Sequence, residues 1–299
     1  MSDTSLAPGL YLVATPIGNL GDITLRALDV LKNADRIACE DTRQTQKLLN
    51  HFAIQTPTVS YHQHNERDRA AELITSLKNG SSIAVVSDAG MPGISDPGSW
   101  LVEAAVAAGI PVIPIPGANA ALSALVASGL STEQFHFLGF LPEKAGARRT
   151  RLEDLAAHPR DSAETLIFYE APHRIADTLA DLESVFGPSL RVVAARELTK
   201  LHEEFLRGPV AEVRRNLNTR DRIRGEFVLL IEALPPSATK PGAPGPDSPT
   251  RESISAKIAR LQSEANLDEK EALKRLAREL GRSKSELYRE LQRERARRK

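Results

Sequence analysis

The 299-residue sequence has one cysteine, Cys39, which excludes an intramolecular disulfide and a multi-cysteine zinc site. Aromatic residues make up only 4%, so any stacking surface must rest on a few rings, such as Tyr61 or Tyr169, or on arginine faces. No apolar run approaches the roughly 20 residues that a membrane span needs. The first eight residues have neither a basic region nor an apolar core, so no secretion signal is expected in them. Histidines are also few. His62 and His64 follow a strand-like run, and nothing nearby completes a metal set. A cytoplasmic protein with no membrane partner and no metal is expected.

Net charge is absent overall but not locally. Residues 250–299 carry 15 Lys or Arg against 9 Asp or Glu, while the remainder carries 24 against 30. A basic tail on a mildly acidic body fits a polyanionic partner, and a solvated charged helix fits equally well. Six prolines in residues 235–249 read as a linker with little to bury. Beyond it, helical patterns at 268–279 and 283–295 meet at Gly281-Arg282. Asp268 and Ser283 suit the N-caps, and Glu286 completes a capping box.

Across the first 234 residues, Val- and Ile-rich runs alternate with amphipathic stretches. Strands are expected at 10–15, 36–40, 58–61, 82–87 and 112–116. Helices are expected at 23–32, 44–51, 66–78 and 100–108. This βαβ rhythm predicts a mostly parallel sheet covered on both faces. A second series places strands at 135–140, 165–169, 192–197 and 227–231. Its helices fall at 120–127, 147–157, 173–186 and 210–216. A Pro-Gly pair at Gly117 divides the two. The expected organisation is an α/β lobe at 1–117, a second at 118–234, the linker at 235–249 and a basic helical tail at 250–299.

Three strand-to-helix turns carry chemistry. The first, Thr15-Pro-Ile-Gly-Asn-Leu-Gly21, with Glu40-Asp41 about 20 residues on, has the outline of a dinucleotide fingerprint. Pro16 replaces the first tight-turn glycine and the loop reads G-x-x-G, which argues against a nicotinamide site. The second, Ser87-Asp-Ala-Gly-Met-Pro-Gly-Ile-Ser-Asp-Pro-Gly98, follows a buried strand, and the carboxyl ends of parallel strands are where ligands bind. Its glycines admit close backbone approach, and its small residues leave room for a flat adenine. Asp96 can be explained as a helix cap, whereas Asp88 has no such structural excuse. The third, Ile115-Pro-Gly-Ala-Asn-Ala-Ala121, is a run of small side chains and a weaker signal.

These turns occur in order with Ala38-Cys-Glu-Asp-Thr-Arg43, Phe168-Tyr-Glu-Ala-Pro-His-Arg174, Ala195-Arg-Glu-Leu-Thr-Lys-Leu-His-Glu-Glu204 and Gly225-Glu-Phe227. Together, over about residues 9–234, they resemble the small-subunit ribosomal RNA methyltransferase I family of the tetrapyrrole methylase superfamily. The resemblance implies a two-lobed, usually dimeric α/β fold with a cleft for S-adenosyl-L-methionine (S-adenosylmethionine). It also implies 2′-O-methylation of cytidine 1402 in the decoding region of 16S rRNA. Carried over by position, the cofactor contacts fall on Pro16, Asp88, Ala89, Gly90, Pro92, Ile94, Ser95, Asp96, Asn119, Ala120, Tyr169, Glu170 and Gly225.

Charged clusters close several of the expected strands: Glu40, Asp41 and Arg43; Glu170, His173 and Arg174; Arg196, Glu197 and Lys200. Each is either a salt-bridged rim or part of one pocket, and a shared pocket explains all three together. The expected catalytic set is Glu170, Arg174, Arg196, Glu197 and Lys200, with the base left open. Expected RNA contacts are Arg43 near the pocket and Arg148, Arg149 and Arg151 on a helix. Three rivals stay open: a small-molecule methyltransferase of the same fold, a non-catalytic ribosome-assembly factor, and a nicotinamide oxidoreductase.

Overall fold

Short apolar runs supply five parallel strands: β1 (Gly9–Val13), β2 (Arg36–Cys39), β3 (Thr58–Ser60), β4 (Ser82–Val86) and β5 (Val112–Ile115). They pair in the order β3-β2-β4-β1-β5. The structure is a computed structural model, and it describes residues 6–62, 66–95, 98–158, 161–233, 261–262 and 268–279. The period of two along each strand loads both faces of this sheet. On one face Tyr11, Val13, Ala84 and Val86 pack with Ala27, Val30 and Leu31 of α1 (Leu25–Asn33) and Leu49 of α2 (Thr42–His51). On the other, Leu10, Ile83 and Val85 pack with Leu73 and Leu77 of α3 (Glu66–Lys78) and Leu101 and Ala105 of α4 (Ser99–Ala107).

After α5 (Ala120–Ser128) the second sheet begins. It comprises β6 (Phe135–Phe140), β7 (Glu164–Glu170), β8 (Arg191–Arg196), β9 (Glu204–Pro209) and β10 (Phe227–Ala233), in the order β6-β7-β10-β8-β9. This sheet is mixed. β6 and β7 are parallel, whereas β10 runs antiparallel to both β7 and β8, and β9 is antiparallel to β8. β9 has no counterpart among the expected strands. Its residues are half-buried at a sheet edge, and its Gly-Pro end reads as a turn until β8 is there to pair with it.

Three helices cover one face of the second sheet: α6 (Ala145–Ala157), α7 (Ile175–Phe186) and α8 (Val210–Asn218). Leu152, Leu179, Leu182 and Val213 meet Phe168, Val192, Leu229 and Ile231 there. α5 packs on the other face, with Ala121, Ala124 and Leu125 against Ile167, Val193, Val228 and Leu230.

Residues 1–241 form one compact unit and 242–299 a second. In the second, α9 (Glu269–Glu279) starts where Asp268 accepts the Glu271 N–H at 2.7 Å, as its capping position predicts. Ala272, Leu273, Leu276 and Ala277 make its apolar stripe, packed with Leu261. The linker and the helix expected at 283–295 lie outside the described residues. Among the described residues, no helix is long and apolar enough to cross a membrane.

Candidate active site

β4, β1 and β5 are neighbours, so the turns after their carboxyl ends meet. Thr15 and Gly90 exchange backbone hydrogen bonds of 2.9 and 3.0 Å. The Ser87 hydroxyl lies 3.1 and 3.3 Å from the Ala89 and Gly90 carbonyls and donates into the same turn. Gly90 has φ +78°, a conformation open to glycine at no steric cost. Ser95 takes φ +62°, a strained value for a residue with a side chain, and strain of this kind clusters at functional sites. Its hydroxyl lies 3.4 Å from where a Cβ on Gly139 of β6 would sit, so this turn reaches the second sheet.

Opposite the turns, the ends of β6, β7, β8 and β10 close a cavity of about 430 Å³, within the range of small-molecule sites. Asp88, Ala89, Gly90, Ile94, Ser95, Asn119, Ala120, Tyr169 and Glu170 border it. Pro16, Pro92 and Gly225 lie outside the lining, and Asp96 lies outside the described residues. The Asn119 side chain accepts the Leu122 N–H at 2.9 Å and so caps α5. Sequence reasoning did not single out several wall residues: Ile17, Phe140, Ala195, Leu198, Glu226, Phe227 and Val228. Most are apolar and look like core in one dimension. Tyr169 packs edge-on against Phe137 and Phe140, with centroids 4.9 and 5.7 Å away, and forms an aromatic wall.

The charged clusters separate into supports and rim. The Glu170 side chain is fully buried, and it accepts from Thr178 Oγ1 at 2.6 Å and from the Ala171 N–H at 2.8 Å. Arg174 Nε lies 3.2 Å from the same carboxylate, and Nη2 donates to the Leu141 carbonyl at 2.7 Å. These contacts tie the two expected catalytic residues to each other and to the end of β7. Only the body of Glu170 borders the cavity. Arg196 likewise holds the Arg224 carbonyl at 2.5 Å and lies 3.4 Å from Glu204. Arg220 is the main cause of a lowered Glu204 pKa.

Lys200 and Glu197 sit on a turn of unusual backbone, with φ +51° at Glu197 and +66° at Thr199. Lys200 Nζ donates to Glu197 Oε1 and to Glu226 Oε2, each at 2.8 Å. Partial burial disfavours its charge, but the two carboxylates outweigh burial and hold the ammonium above its ordinary pKa. Burial also opposes the Glu197 charge, and Lys200 with the Glu226 N–H reverses this and lowers its pKa. The turn touches the first lobe, because a Cβ on Gly18 would come within 2.5 Å of Lys200 Cγ. Gly225, at φ +89°, leaves no space either: a Cβ there would lie 2.4 Å from Glu197 Cγ.

The expected RNA contacts fare unequally. Arg148 is buried, with Nε 2.8 Å from Asp181 Oδ2, so it is a core ion pair and no phosphate ligand. Arg149 is half-exposed and pairs with the other oxygen of Asp181 at 2.8 Å. Arg151 is exposed. Arg43 is exposed and pairs with Asp41, which caps α2 through the Arg43 N–H at 2.8 Å. Beside it, burial and then Asp88 raise the pKa of Glu40, against a lowering effect of His62.

A family model described as tetrapyrrole (corrin/porphyrin) methylases matches residues 9–214. A ribosomal RNA small subunit methyltransferase I from Halalkalibacterium halodurans is 56% identical over 223 residues, 75% of this chain and 75% of that protein. A protein of the same name from Synechocystis sp. is 52% identical over 227 residues, 76% of this chain and 80% of the relative. Among solved structures, a uroporphyrin-III C-methyltransferase from Thermus thermophilus, complexed with S-adenyl homocysteine, superposes with a TM-score of 0.50 at 19% identity. That match covers 75% of this chain and 96% of the other.

Proposed function

The chain belongs to the tetrapyrrole methylase family, and within it to the ribosomal RNA small subunit methyltransferases I, and from that premise we propose that it methylates the ribose 2′-hydroxyl of cytidine 1402 in 16S rRNA. Its methyl donor is S-adenosylmethionine, and its substrate is small-subunit ribosomal RNA. The relatives' shared name supports the RNA class, and the resemblance of the motifs supports the 2′-oxygen and the position. The proposed setting is the cytoplasm, with the chain as a homodimer. Leu122 and Val126, exposed on the outer face of α5, are apolar surface available to a second copy.

The cavity fits the cofactor on its own terms. Three turns with short side chains border it, and the left-handed Gly90 brings backbone rather than side chain to its wall. The Asp88 carboxylate suits a cationic ligand, while Ile17, Met91, Leu198 and Val228 suit a flat apolar ring. S-adenosylmethionine, when bound, supplies an electrophilic methyl group on a sulfonium.

The protein's part is placement and charge. Orienting the hydroxyl in line contributes up to roughly 7–11 kcal/mol in favourable cases. Lys200, kept cationic by two carboxylates, favours negative charge growing on the ribose oxygen. Ala195, Leu198 and Phe227 exclude water around it. Asp88 from one lobe and Glu226, which accepts from Lys200, from the other border one cavity, and this is the observation that carries the reading. The test is to incubate purified chain with labelled S-adenosylmethionine and small subunits, then digest the RNA to nucleosides. Label in 2′-O-methylcytidine supports the reading. Label only in a base, or label in a porphyrinogen but not in RNA, contradicts it.

A further inference from the structure

Among the described residues, the cavity holds one carboxylate that is at once oriented and uncommitted. Glu226 borders it, its side chain is 81% exposed, and its Oε2 accepts from Lys200 Nζ at 2.8 Å. Its Oε1 accepts no hydrogen bond among the described residues. Its backbone N–H donates to Glu197 Oε1 at 3.0 Å, and its carbonyl accepts the Glu197 N–H at 3.0 Å, so its backbone is tied to the 197–200 turn. Two other acids nearby are committed. Glu170 is buried under Thr178, Ala171 and Arg174. Glu197 is tied to Lys200 and to the Glu226 backbone. Asp88 borders the cavity from the opposite lobe, its Oδ1 3.4 Å from the Asp41 N–H, and among the described residues it has no cation to hold it.

We propose that Glu226 is the general base of the transfer, with Lys200 fixing its carboxylate and Glu197 fixing Lys200. This rests on the ribose hydroxyl being the nucleophile. The 2′-oxygen takes the methyl carbon as the carbon–sulfur bond breaks, the bonding pair stays on sulfur, and the hydroxyl proton passes to Oε1 of Glu226. Bound to Oε1, the hydroxyl is also near the ammonium that Oε2 holds, so one pair both accepts the proton and steadies the oxyanion. Lys200 itself cannot be the base, because its two carboxylates keep it protonated.

The test is single-turnover methylation of small subunits by the wild-type chain, E226Q and D88N across pH, with cofactor affinity measured by calorimetry. Methylation by the wild type tests the hydroxyl reading itself. Given that activity, E226Q keeps an oxygen for Lys200 but loses the basic one. Its rate should fall on the order of 10²-fold, with cofactor Kd and RNA KM little changed. The acidic limb of the profile should vanish in E226Q and persist in D88N. A rate within about threefold of wild type overturns the proposal. So does an E226Q profile that keeps its acidic limb, or loss of that limb in D88N instead.

Discussion

Arginine and glutamate look alike in a sequence whether they work on a substrate or hold the protein together, and the partners decide. Arg148 and Glu170 both stood among the expected site residues, yet each is buried in its own hydrogen-bond set. R148A strands Asp181 with only the half-exposed Arg149, so urea unfolding should show a loss of about 3 kcal/mol, at the low end for a broken buried pair. A loss under about 0.5 kcal/mol with a raised KM for RNA would restore Arg148 to the RNA surface. Glu40 is the opposite case. Its carboxyl pKa is raised, first by burial and then by Asp88, so its charge costs stability once pH rises through the carboxylate range. E40Q should therefore be more stable than wild type near neutral pH, by up to about 1 kcal/mol because Glu40 is partly exposed. The gap should close as pH falls below that range. Equal thermal midpoints at both pH values would contradict it.

At the level of elements, periodicity made much of the molecule legible. β6 and α3 match their expected bounds, and the first sheet is parallel with both faces covered. Pairing direction was not legible. Because β10 runs antiparallel, its amino end, Phe227, lies beside Glu170 of β7 and Arg196 of β8. That brings Glu226 to the cavity from the wrong end of a strand, so a search of carboxyl ends passes over it. The 197–200 turn was equally hidden, since nothing local marks Glu197 and Thr199 as left-handed. Thr199 also buries a hydroxyl with no hydrogen-bond partner among the described residues, so both its backbone and its side chain oppose stability there. T199G removes both costs and adds unfolded-state entropy of about 1 kcal/mol. Thermal stability should hold or rise slightly, while kcat falls as Lys200 loses its fixed position. A clear loss of stability with kcat intact would show the turn to be scaffold alone.

For the whole molecule, the charge asymmetry separates chemistry from capture. Every group proposed to act in the transfer lies in residues 1–241, and the excess positive charge lies in residues 250–299. A chain ending at Leu234 should keep its cofactor affinity, show a higher KM for small subunits, and lose part of its salt dependence as fewer phosphates are neutralised. An unchanged salt slope and KM would assign the tail another role. The family and the cofactor cleft were legible from ordered motifs spread over 200 residues, whereas the site's wiring depends on contacts that no single stretch contains. The central claim concerns one oxygen on one nucleotide. The most direct measurement is a map of 2′-O-methylation along 16S rRNA from cells with and without this protein. A methyl group at cytidine 1402 that disappears with the protein is the predicted result, and an unchanged map, or a lost methyl group at another nucleotide only, contradicts it.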